Sequence, residues 1–136
     1  MNINVILLAK LKNSCITDYM EVYNKRFPKT WNVNYMERKT ILSKVKKDNS
    51  FYVLLDEKGE KVSSQQFAGY LTKWNNFSLI NFYIGGSYGF SKEDYSISDK
   101  MIALSDLTFP HSFVPLILME QIYRAYTIIN NHPYHH

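Results

Sequence analysis

At 136 residues the chain is long enough for one sizeable core but too short for a catalytic domain plus a separate substrate-binding domain, so a single domain over 1–136 is expected. A lone cysteine, Cys15, excludes an internal disulfide and a cysteine zinc site, and no apolar run approaches the roughly 20 residues of a membrane span. The net charge of +4 is unevenly spread: residues 1–75 carry 13 Lys/Arg against 7 Asp/Glu and residues 76–136 carry 3 against 5, which suits a first half that meets a polyanion.

The start, Met1-Asn2-Ile3-Asn4, lacks the basic n-region of a signal peptide, so a cytoplasmic location with no membrane association is expected. Ile3 to Leu8 is a nearly continuous apolar run, the pattern of a strand covered on both faces. From Ser14 the apolar residues Ile16, Tyr19, Met20, Tyr23 and Phe27 fall at helical spacing, and Pro28 closes that helix. Trp31, Val33 and Tyr35 alternate with polar residues, which predicts a half-exposed strand at a sheet edge. Glu37 to Lys47 reads as a helix with Ile41, Leu42 and Val45 inward, followed by a turn at Lys46–Ser50.

A second apolar strand, Phe51 to Leu55, runs into the polar loop Asp56-Glu57-Lys58-Gly59-Glu60. Ser63 with Gln66 forms a capping-box pattern, and Phe67, Tyr70, Leu71 and Trp74 give the following helix one apolar face. Ser78 to Ile84 is the central strand, and it enters a loop whose glycines, Gly85, Gly86 and Gly89, allow sharp turning and close approach to a ligand. Ser91 with Asp94 caps a short helix to about Ser98, and Met101 to Leu104 is the last strand. The final helix spans Phe113 to Ile129, with Pro115 in its first turn, where a missing N–H costs little.

Strands thus alternate with helices five times, which predicts an α/β fold with a mostly parallel sheet and flanking helices. In such sheets ligands sit beyond the carboxyl ends of the strands, here marked by Asp56, the Gly85/Gly86 loop and the loop Leu104–Phe109. Gly86 and Gly89 match the last two glycines of a dinucleotide fingerprint, with Asp106 about twenty residues on, but Ile84 stands in the first glycine's place and the next helix is short. His132, His135 and His136 lie at a terminus with no carboxylate or thiolate nearby in sequence, so no metal is expected. Neither Cys15 nor any serine sits in a nucleophile elbow.

Four blocks carry a resemblance: Ile84-Gly85-Gly86-Ser87-Tyr88-Gly89, Leu104-Ser105-Asp106-Leu107-Thr108-Phe109-Pro110-His111, Glu120-Gln121-Ile122-Tyr123-Arg124-Ala125-Tyr126, and His132-Pro133-Tyr134-His135. In this order and spacing they resemble the RlmH family, SPOUT-class enzymes that methylate N3 of a pseudouridine in helix 69 of bacterial 23S rRNA. The resemblance implies a C-terminal trefoil knot, a homodimer, and S-adenosylmethionine held by Leu55, Gly85, Gly86, Leu104, Ser105, Asp106, Leu107, Thr108 and Phe109. It differs from many members at Ser87, Ala9, Pro115 and His136, and its segment between Phe27 and Phe51 is shorter.

Methyl transfer from a sulfonium to a base nitrogen requires donor and acceptor at near-attack distance and removal of the proton on N3. His135 or His132 is the candidate proton acceptor, Tyr134 an orienting partner, and Arg124 either a phosphate ligand or an ion-pair partner of Glu120 one turn earlier. Two other readings compete with a ribosomal RNA methyltransferase: a non-enzymatic, ribosome-associated RNA-binding dimer, and a nucleotide-binding oxidoreductase.

Overall fold

A computed structural model describes residues 1–41 and 46–136. Its described elements follow the order β1 (Asn2–Leu7), α1 (Ser14–Asn24), β2 (Asn32–Glu37), β3 (Ser50–Lys61), α2 (Ser64–Trp74), β4 (Leu79–Ile84), α3 (Lys92–Ile97), β5 (Lys100–Ala103) and α4 (Val114–Ile129). The five strands form one parallel sheet in the order β2-β1-β4-β3-β5, so β4 is central and β2 lies at an edge, as their patterns predict. All five carboxyl ends consequently share one margin of the sheet.

The period of two along each strand divides the core. Ile3, Val5, Leu7, Val53, Leu55, Ile80, Phe82 and Ile84 face α2 and α4, where Phe67, Leu71, Trp74, Leu118, Met119 and Ile122 complete the larger cluster. Ile6, Tyr52, Leu54 and Tyr83 face the other side, together with Ile41 and with Phe90, Tyr95 and Ile97 from α3 and the loop before it. On that side Asn81, a buried polar residue of β4, accepts a 3.0 Å hydrogen bond from the Asn4 side-chain amide, its register partner on β1. Helix α4 packs against α1, α2 and β1, presenting buried Pro115, Leu118, Met119, Ile122 and Ala125 at helical spacing.

The local signals act as written in the sequence. Ser63 and Ser91 each accept from the backbone N–H three residues on while Gln66 and Asp94 reciprocate, so both capping boxes form. Pro115 occupies the first turn of α4. Two expectations are corrected. Strand β3 does not end at Leu55 but continues to Lys61, with a register shift against β5 between Leu55 and Glu60. The close β3–β5 approach at Gly59 explains how pairing resumes: a Cβ there would lie 2.6 Å from the backbone N and C of Ile102. The helix expected over Glu37–Lys47 is absent from its described part. Glu37 ends β2, and the Arg38 N–H donates to the Leu7 carbonyl at 2.9 Å, prolonging the β1–β2 ladder instead. Leu42 and Val45, assigned to that helix, lie outside the described residues.

Candidate functional site

The carboxyl margin is organised by the ends of the adjacent parallel strands β1 and β4. The Leu8 N–H donates to the Ile84 carbonyl at 2.8 Å, and a Cβ on Gly86 would stand 2.6 Å from the Leu8 carbonyl oxygen. The glycine at 86 is therefore demanded by the chain's own backbone. Residues 86–89 then close a tight turn, with the Gly89 N–H donating to the Gly86 carbonyl at 3.0 Å and Gly89 at φ +69°. Tyr88 stands at the tip of the turn with its side chain fully in solvent.

Two cavities open along this margin, one on either side of the end of β4. The larger, of about 820 Å³, lies over the ends of β1 and β4 and is lined by Leu8 and Ala9, Lys39 to Ile41, the turn from Gly86 to Ser91, and the α3 residues Glu93, Asp94, Ser96 and Ile97. The smaller, of about 110 Å³, lies over the ends of β3 and β5 and is lined by Leu55, Asp56, Glu57, Ala103, Leu104, Ser105, Leu107, Thr108, Phe109 and Val114. A further recess of about 150 Å³ shares Leu104 and Phe109 with it and extends to Ser64 and Gln121, whose side chains hydrogen-bond at 2.7 Å.

The residues nominated for the cofactor are thus brought together unevenly. Leu55, Leu104, Ser105, Leu107, Thr108 and Phe109 share the smaller cavity, whereas Gly86 lines the larger one and Gly85 belongs to the β4 end between them. Asp106 lines neither; its exposed carboxylate pairs with Lys61 on β3. In the loop 105–109 the Leu107 N–H donates to Ser105 Oγ at 2.9 Å, and among the described residues no other hydrogen bond to the loop's backbone is found. Asp56 is held from the α3 side by the Tyr95 hydroxyl, which anchors the start of the β3 irregularity; that bond is the main reason the Tyr95 hydroxyl is pushed up to about 12.

The C-terminal residues fold back along α4. Glu120 accepts from Arg124 Nε at 3.0 Å, from Arg124 Nη2 at 2.7 Å and from the Tyr134 hydroxyl at 3.1 Å, and the Arg124 guanidinium lies 5.0 Å from the Tyr134 ring centroid. Burial, then hydrogen bonds to Tyr23 and Glu120, raise the Tyr134 hydroxyl above its usual range. Arg124 Nη1 stands 3.1 Å from His135 Nδ1, and because a guanidinium only donates, Nδ1 is the acceptor and Nε2 carries the ring hydrogen of the neutral imidazole. His132 is exposed, with its backbone N–H donating to the Thr127 carbonyl at 2.8 Å. Arg124, Tyr134 and His135 therefore form one cluster, with Arg124 in the Glu120 ion pair, but none of these tail residues lines either strand-end cavity of its own chain.

Sequence reasoning missed the wall formed by Lys39, Thr40 and Ile41, because that stretch reads as helix, and it missed the α3 face. The available signal was the short capped helix directly after the glycine turn, which must pack near it. Among the described residues no three His, Cys, Asp or Glu side chains cluster to hold a metal ion, and no helix is long and apolar enough to cross a membrane.

Comparison with known proteins matches the same regions. A family described as "Predicted SPOUT methyltransferase" matches residues 1–135. A protein of Fusobacterium nucleatum subsp. nucleatum named ribosomal RNA large subunit methyltransferase H is 35% identical over 154 residues, covering 99% of each chain. Its namesake in Christiangramia forsetii is 37% identical over 157 residues, covering 100% of this chain and 99% of the relative. The Geobacter sulfurreducens namesake reaches 45% over 97 residues, covering 70% of this chain and 63% of the relative. Both near-full-length alignments exceed the 136 residues present here, so this chain lacks residues that those relatives have. A match over nearly every residue, at a parallel α/β sheet with ligand-sized openings at its carboxyl margin, means that this chain belongs to the SPOUT methyltransferase family and, within it, to the RlmH group.

Proposed function

We propose that residues 1–136 act as one methyltransferase domain that transfers a methyl group from S-adenosylmethionine to N3 of a pseudouridine in helix 69 of 23S rRNA, in the cytoplasm and as a homodimer. The observation that carries this reading is the meeting of Leu55 with the 104–109 loop beside the β4 glycines, in a chain that aligns end to end with proteins named for large-subunit RNA methylation.

The smaller cavity suits the cofactor in chemistry. Its walls are apolar at Leu55, Ala103, Leu107, Phe109 and Val114, and its loop presents unspent backbone groups, which together favour a flat heterocycle with donor and acceptor edges. In volume it falls below the roughly 300 Å³ at which small-molecule sites begin, so the ligand must also use space beside Gly85 and Gly86 or displace the loop. Leu55, Gly85, Gly86, Leu104, Ser105, Leu107, Thr108 and Phe109 would hold the cofactor, with Asp106 joining once it leaves Lys61. The bound group would supply an electrophilic methyl.

The tail residues would act on the acceptor. Removing the N3 proton places negative charge on the two flanking carbonyl oxygens. With Nδ1 engaged by Arg124, His135 offers its Nε2–H to such an oxygen, leaving His132 as the group free to take the proton. Glu120 holds Arg124 and Tyr134 in place for this task. The cluster lines neither cavity of its own chain, so a tail acting on the acceptor would come from a second copy, a reading that supports a dimer. Threading of α4 through the loops at 84–89 and 104–111, which the family resemblance implies, is compatible with its packing against α2, α1 and β1.

The test is incubation with labelled cofactor and ribosomes from a strain lacking the family enzyme. Label is expected in helix 69. Label elsewhere would discard the target and keep the chemistry, and RNA binding without incorporation would leave the non-enzymatic dimer. Helix α3, with six residues, is too short for the helix of a dinucleotide-binding βαβ unit, which weighs against the oxidoreductase.

A further inference from the structure

We propose that the larger cavity receives the acceptor nucleoside, extruded from the RNA, and that Tyr88 is the platform on which its base stacks. This rests on the methyltransferase reading and extends it to the acceptor side. Four observations converge. The cavity, at about 820 Å³, falls within the roughly 300–1,000 Å³ typical of small-molecule sites, ample for a nucleoside. Leu8, Ala9, Ile41, Phe90 and Ile97 provide apolar walls for the faces of a base, and Lys39, Glu93 and Ser96 provide polar groups for its edges.

The charges select among nucleic-acid parts. Among the described lining residues, one lysine, Lys39, stands with two carboxylates, Glu93 and Asp94, and the Asp94 carboxylate is occupied by the Ser91 N–H at 2.9 Å. Such a lining repels a polyphosphate and accepts a neutral base. Arg38 and Lys92, exposed and adjoining the lining segments in sequence, are available to the phosphodiester that remains outside. An unstacked nucleotide of a loop meets these demands, and a paired one does not.

Tyr88 is fully exposed and has no hydrogen-bond, ionic or ring partner among the described residues. Its backbone is nevertheless fixed by the Gly86–Gly89 bridge, so an incoming base pays little to order it. Finally, the strand order sets this cavity over β1 and β4 and the smaller one over β3 and β5, with Gly85 and Gly86 between them. A donor on one side and an acceptor on the other then meet at the glycine loop, as in-line transfer requires.

The experiment measures the Kd of a synthetic stem-loop RNA with pseudouridine in its loop, at fixed salt, with KM for that RNA and Kd for S-adenosylmethionine. Tyr88→Ala is expected to raise the RNA Kd and KM about tenfold, in the range seen when stacking aromatics are truncated. It should leave kcat and cofactor affinity within about twofold, and Tyr88→Trp and Tyr88→Phe should restore RNA binding. An unchanged RNA Kd in Tyr88→Ala overturns the proposal, as does an equal loss of cofactor affinity. Wild-type protein that binds the RNA but transfers no methyl would defeat the enzymatic reading while the Tyr88 comparison still decides the platform.

Discussion

At Gly86 the absent side chain is replaced by a carbonyl: the Leu8 oxygen stands where a Cβ would come within 2.6 Å, so alanine there forces backbone apart rather than a flexible side chain aside. Gly86→Ala is expected to lower stability by about 1–3 kcal/mol, the usual cost of overpacking. Gly69, exposed in the middle of α2 with nothing within 4 Å of its would-be Cβ, is the opposite case, and Gly69→Ala should gain roughly 0.5–1 kcal/mol. Urea denaturation of the two variants checks both signs; equal shifts would show that glycine content rather than the close approach of Leu8 to Gly86 sets the effect. The sequence marks Gly86 as special because three glycines follow a strand, but it cannot say whether a ligand or the chain itself fills the space. Arg124 is a similar case: phosphate ligand and ion-pair partner of Glu120 are equally compatible with the spacing, and only the fold supplies the 2.7 Å contact.

At the scale of elements, what was legible depended on whether the signal was local. The capping boxes at Ser63 and Ser91, the edge strand at Trp31–Tyr35 and Pro115 at the start of α4 are each decided within a few residues, and each forms. The extension of β3 through Asp56–Lys61 is decided by β5, forty residues later, so its polar run reads as a loop. The non-helical Arg38–Ile41 wall is likewise set by β1, through the Arg38–Leu7 hydrogen bond. Elements also carry a pH prediction. Burial raises the hydroxyls of Tyr35 on β2 and Tyr83 on β4, aided by Glu37 and Tyr52 respectively, and Tyr95 on α3 is raised through Asp56. Folding therefore favours the neutral phenols, so their contribution is intact below the ordinary tyrosine value of about 10 and is lost as pH climbs through the raised values. The urea midpoint should stay flat from neutrality to about pH 10 and then fall; a decline between pH 7 and 9 would assign alkaline sensitivity to other groups. Tyr95, raised mainly by its hydrogen bond to Asp56 rather than by burial, should contribute least.

The molecule as a whole sets the most demanding test, because its two halves of chemistry lie apart. The 104–109 loop, proposed to hold the cofactor, and the tail cluster sit on the same chain without sharing a cavity, and no reading of motif order could reveal that separation. If the tail acts in trans, each site of a twofold dimer takes its loops from one subunit and its tail from the other. A chain ending at Asn131 then retains both strand-end loops intact, and Thr108→Arg, which places a cation in the smaller cavity, retains an intact tail. Each homodimer should be inactive. After the two are mixed and re-equilibrated at equal amounts, half the dimers are mixed, and each of these has one site assembled wholly from wild-type parts. Methyl incorporation should therefore recover to about a quarter of the wild-type rate. Persistent inactivity, with mixed dimers confirmed by differently tagged subunits, would mean that tail and loops must come from one chain, and the folded-back tail would then have to swing away from Glu120 to reach its own cofactor.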